Sequence, residues 1–118
     1  MYDIRPFAPL YGPNAGAGAG SLIASTTISG TTSSVSGSLP GIANSDLNQI
    51  QIANTSSAWA YVNFGRNTTE IPAATVAASY PVAPGSVVVV TVNSEVGAAA
   101  VILSTGTGNV IFTRGAGT

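Results

Sequence analysis

From Ser21 onward, apolar and polar positions fall into short runs rich in Val, Ile, Thr and Ser, broken by Gly, Pro or Asn about every 8 to 12 residues. That rhythm predicts strands near 21–29, 31–36, 48–54, 58–64, 74–80, 86–93, 98–104 and 109–114, and no helix of useful length. Two runs alternate with period 2. Ile50 and Ile52 oppose Gln51 and Ala53, and Ala58, Ala60, Val62 and Phe64 oppose Trp59, Tyr61 and Asn63, so each strand lays one face on a core. Two others do not alternate: VVVVTV (Val87 to Val92) and AAAVIL (Ala98 to Leu103). Uniformly apolar strands are expected to be covered on both faces, at the centre of a sandwich or against another subunit.

The punctuation predicts connections. Asn54-Thr55-Ser56-Ser57 reads as a hairpin link, Pro84-Gly85 as a turn ahead of the valine run, and Gly106-Thr107-Gly108-Asn109 as the close of a last hairpin. Together they predict an antiparallel meander in the C-terminal half. The expected fold is all-β, a single antiparallel β-sandwich over residues 21–118 with either jelly-roll or immunoglobulin-like crossings.

Residues 1–20 follow another pattern. Pro6, Pro9 and Pro13 exclude a helix, and the stretch ends in AGAGAG, which predicts an extended arm and a Gly/Ala hinge. Tyr2, Ile4, Phe7, Leu10 and Tyr11 are too many large apolar side chains for a solvated tail. They are the candidate set for docking the arm on a partner.

Composition narrows the function. Three arginines and four carboxylates are the only charged side chains among 118 residues, and there is no Lys, His or Cys, where soluble domains carry about a quarter charged residues. General acid-base and nucleophilic catalysis draw on the missing types or on paired carboxylates, so no enzyme is expected. Glu70 and Glu95 could form such a pair only by meeting across strands, and each sits in a loop-like context. Three scattered arginines give no footprint for nucleic acid. No apolar run approaches the roughly 20 residues of a membrane helix, and the opening MYDIRPFAPLYGP lacks the apolar stretch of a secretory signal. No carboxylate cluster suits a hard cation and no glycine run has a phosphate-loop pattern, so neither metal nor cofactor is expected. Sequons occur at Asn54 and Asn67, as Ser/Thr-rich chains produce by chance. Trp59 and Tyr61 share one strand face and could be interface anchors. Ring size favours a core position for Trp59, while Tyr61 joins the arm residues as a candidate partner contact.

The succession IQIAN (Ile50 to Asn54), AYVNFG (Ala60 to Gly65), YPVAPGSVVVV (Tyr80 to Val90) and GTGNVIFTRGAG (Gly106 to Gly117) resembles small β-sandwich structural proteins of tailed-bacteriophage virions, including head decoration or cement proteins. The likeness runs from Asn48 to Gly117 and leaves the arm uncovered. It implies a capsid-surface protein that binds the major capsid protein lattice and stabilises it by bridging neighbouring subunits. A symmetric homo-oligomer, for instance a trimer, is expected, with one of the two non-alternating strands at the subunit contact. The alternative expectation is a tail-fibre or adhesin-type domain that recognises a host receptor or glycan through Trp59, Tyr61 and the loop 65–70. A strand-donating fimbrial subunit fits less well, because the prolines of the arm cannot supply ladder donors.

Overall fold

A computed structural model describes residues 8–9, 25–39, 49–93 and 95–116. They form nine strands: β1 (Ala8–Pro9), β2 (Ser25–Gly30), β3 (Val35–Ser38), β4 (Gln49–Asn54), β5 (Ala60–Gly65), β6 (Tyr80–Val82), β7 (Val87–Thr91), β8 (Ala98–Leu103) and β9 (Gly108–Ala116). Sheet 1 runs β2-β9-β4-β7, with β1 in line with β2 on the same side of β9. Sheet 2 runs β3-β8-β5-β6. Every pairing is antiparallel.

The pairings nest. β2 lies against β9, β3 against β8, β4 against β7 and β5 against β6, so the chain from Ser25 onward behaves as one long hairpin whose turn is the β5–β6 loop. Rolling that hairpin brings β9 against β4 and β8 against β5. This is the strand order of a jelly roll, one of the two topologies the sequence left open.

Nesting overturns the expected meander. From β2 to β9, every connection except β5–β6 carries the chain from one sheet to the other. Residues 55–59 and 104–107 are therefore corners between sheets, not hairpin turns. Four or five residues at about 3.3 Å each suffice to cross the roughly 10 Å between stacked sheets. The strand expected at 74–80 is also displaced. Residues 76–78 form a turn, and the strand is Tyr80–Val82, with Pro81 tolerated because β6 is an edge. Likewise residues 31–34 connect the sheets, and β3 starts at Val35. The Pro84-Gly85 turn is where it was expected: the Ser86 N–H donates to Ala83 O at 3.2 Å, and Gly85 takes φ 70°, as position i+2 of a type II turn requires.

Alternation builds the core. Ile28, Ile50, Ile52, Val110 and Phe112 from sheet 1 meet Ala60, Val62, Val82, Val101 and Leu103 from sheet 2, all buried. Phe64 and Phe112 meet edge to face across the sheets, with centroids 6.4 Å apart. At one corner the approach is closer: a Cβ on Gly108 would stand 2.3 Å from Ser56 Cβ, so only glycine fits there.

The two uniformly apolar strands part company. β8 lies inside sheet 2, and Ala98 to Val101 are fully buried, as expected of a strand covered on both faces. β7 is the outer strand of sheet 1, where Val87 is 56% and Val89 44% exposed. The expectation that both its faces are covered fails within the chain.

Candidate interaction surface

Among the described residues four polar or charged side chains are buried, and the most connected is Asn54 at the end of β4, 1% exposed. Its Nδ2 donates to Ala58 O (2.9 Å) and Val82 O (3.0 Å), with Ala83 O at 3.2 Å, while Oδ1 accepts from Ser56 N (3.0 Å) and Ser56 Oγ (2.6 Å). One amide thus ties together the β4–β5 and β6–β7 corners. A buried amide with all its partners met fixes a fold where an apolar residue would leave carbonyls unpaired. The Asn54 sequon is therefore structural, and its nitrogen is not open to a glycan in the folded chain. Asn67, in the loop after β5, instead accepts from Thr69 N, Thr69 Oγ1 and Glu70 N through Oδ1.

Charge is kept off the sheet faces. Among the described residues, Arg66, Glu70 and Glu95 lie in loops, and Arg114 is the one charged residue within a strand. Arg114 points inward, 3% exposed, and donates to Val96 O. Burial lowers its pKa, yet a guanidinium stays charged throughout the physiological range. Arg66 and Glu95 pair at 2.9 Å with both side chains largely in solvent, an arrangement worth about 0–1 kcal/mol. Glu95 is thus engaged with Arg66 while Glu70 takes a bond from Asn67 Nδ2.

The outward face of sheet 2 carries an aromatic patch. The register sets Tyr61 of β5 between Pro81 of β6 and Ile102 of β8, with Trp59 on the same face just ahead of β5. Trp59 is 45% exposed, which corrects the core position expected from its ring size. Alternation explains the correction: Ala58, Ala60 and Val62 are the buried members of that run, leaving Trp59 and Tyr61 outside. Beside this patch the segment 66–79 folds back over the sheet. Asn63 Nδ2 holds it through Ala73 O at 3.0 Å, and Ser34 Oγ accepts from Ala74 N. Between that segment and the sheet lies a cleft of about 210 Å³, lined by Ser34, Ser36, Thr68 and Ala100 among others. No charged side chain lines it, and it is smaller than the usual ligand pocket of about 300–1,000 Å³.

Among the described residues the outward face of sheet 1 has no aromatic and no charge. Its cross-strand rows read Thr27, Ile111, Ala53, Val87 and then Ser25, Thr113, Gln51, Val89. Of the candidate contact residues, Tyr61 is thus placed on an outer face, half-buried. Tyr2, Ile4, Phe7, Leu10 and Tyr11 lie outside the described residues. The described part of the arm, Ala8–Pro9, pairs with Gly115 and Ala116 of its own chain. Sequence reasoning missed Asn54, and one signal pointed to it: an Asn in the inward phase set by Ile50 and Ile52.

Compared with protein-family models, with curated proteins and with solved structures, the chain matches none.

Proposed function

We propose that this chain is a non-enzymatic structural protein of a bacteriophage virion, a decoration or cement protein that sits on the capsid surface, binds the major capsid protein and stabilises its lattice. The observation that carries the reading is the distribution of charge: among the described residues neither outward sheet face bears a charged side chain, and one bears the Trp59, Tyr61, Pro81, Ile102 patch. Surfaces depleted of charge and enriched in Trp and Tyr are those that a protein partner covers. The jelly roll adds support by analogy alone, since viral capsid domains share it with lectins and cupins. In this reading Tyr61 contacts the shell, and Tyr2, Ile4, Phe7, Leu10 and Tyr11 dock the arm on neighbouring subunits.

Co-sedimentation with heads stripped of this component tests it. The expected result is saturable binding at many copies per head, weakened by Phe7→Ala with Leu10→Ala and by Tyr61→Ala without loss of fold. Absence of binding to heads overturns the proposal. It would favour the second reading, a tail-fibre or adhesin-type domain for a host receptor or glycan. The exposed ring of Trp59 supports that reading, because an aromatic face in solvent can stack on a sugar.

A further inference from the structure

A two-sheet sandwich has four edges, and in this chain two are blunted by short strands and a third is mostly polar. The edge beside β9 is shared by Ala8–Pro9, which carries a proline, and by the six residues Ser25–Gly30, four of which are Ser or Thr. β6 is three residues long with Pro81 at its centre, and β3 is four residues long with Gly37 inside it. Short strands and prolines are how sheets blunt an edge. The fourth edge, β7, has none of these devices: Val87–Thr91 is five β-branched residues without Pro, Gly or charge. Among the described residues it pairs with β4 alone.

We propose that β7 is the surface through which two copies of this chain associate, pairing edge to edge and antiparallel about a two-fold axis at Val89. The occupant is a second copy because the strand is complementary to itself. About that axis Val87 faces Thr91 of the other copy, Val88 faces Val90 and Val89 faces Val89, all β-branched pairs of the kind that stabilise antiparallel ladders. Identical copies also bring identical charges together, and here that cost is absent. The neighbouring strand presents Gln49, Gln51 and Ala53 on the same face, and none is charged. Both sides of β7 gain cover: Val87 and Val89 on the outward face, and Val88 and Val90, half-buried at the rim of the core, on the inward one. A two-fold contact uses one edge of each copy and closes at a dimer. A trimer would need one edge to pair with a different edge. β8, the other strand considered for a subunit contact, is enclosed within its own chain.

Sedimentation equilibrium of the full chain across micromolar concentrations tests this without any shell, so its outcome is separate from that of capsid binding. The expected mass rises from one chain to two. Val89→Lys leaves the single copy's core untouched and sets two ammonium groups against each other, so the two-chain species is expected to be lost while the circular dichroism spectrum is kept. A register test accompanies it. Val87→Lys with Thr91→Glu places opposite charges across the axis twice and keeps the dimer, whereas Val87→Lys with Thr91→Lys breaks it. A one-chain mass for the unaltered protein at every concentration, a three-chain mass, or equal behaviour of the two paired variants overturns the proposal.

Discussion

β7 and β8 are nearly neighbours in sequence and similar in hydropathy, yet one is the exposed margin of sheet 1 and the other the covered centre of sheet 2. What separates them is order in the nested hairpin. β8 pairs outward with β3 and, once the hairpin rolls, inward with β5. Among the described residues β7 pairs only with β4, because β9 takes the other side of β4. The outward side of β8 is then covered by the segment 66–79, whose close approach needs Gly65: a Cβ there would stand 2.7 Å from Ile71 Cβ. An apolar run thus reports that a strand is buried somewhere, in its own chain or in an assembly, and topology decides which.

Substitutions that treat the two strands alike break or sharpen this contrast. The largest effect is expected in β8, where Leu103→Ala removes a fully buried side chain and lowers the unfolding free energy by about 2–5 kcal/mol, measurable by urea denaturation. Next comes Asn54→Ala, which removes the side-chain donor to Val82 O and one of the two to Ala58 O and takes the acceptor from Ser56, and is expected to cost about 1–3 kcal/mol. Asn54 also bonds through its own backbone to Gly85 N and Ser86 O at the entry to β7. Hydrogen exchange in this variant should therefore accelerate in β7 before β8; uniform acceleration would mean that the two strands open as one unit. A similar loss follows from Val101→Thr, which places a hydroxyl among apolar neighbours at a fully buried site and costs about 1–3 kcal/mol.

Much of this was legible in the sequence. Seven of the eight expected strands share two or more residues with an observed one and the eighth shares Tyr80 alone, because alternation at Ile50 and Ile52 or at Ala60 and Val62 records which face is buried. The exception, 74–80, has β-prone composition, but Ser79 Oγ accepts from Thr75 N and Thr75 Oγ1 from Ala78 N, and these local bonds hold a turn in place of a strand. Connections were misread for a different reason. A short Ser/Gly-rich link joins two strands of one sheet or crosses between sheets with equal ease, and only the pairing of distant strands distinguishes the two. Alternation also carries the outward placement of Tyr61 and of Trp59, and for Trp59 the phase set by Ala58, Ala60 and Val62 outweighs ring size.

The smallest expected effect is the most discriminating. Val89→Thr is the same chemical change as Val101→Thr, a methyl replaced by a hydroxyl at constant shape, made on a side chain that is 44% exposed. In a single copy the hydroxyl remains in water, so stability should move by no more than about 0.5 kcal/mol. Thr is as β-branched as Val, so an edge-paired dimer should also survive, in contrast to Val89→Lys. Thermal unfolding at two protein concentrations separates the contributions: below the dimer range the variant should match the unaltered protein, and above it the two should stay matched. A loss as large as that of Val101→Thr at low concentration would mean that β7 is covered within its own chain, and the contrast between the strands would collapse. A loss seen only at high concentration would show that Val89 lies under closer cover in the dimer than a strand edge provides, moving the axis from the backbone edge of β7 to its outward face.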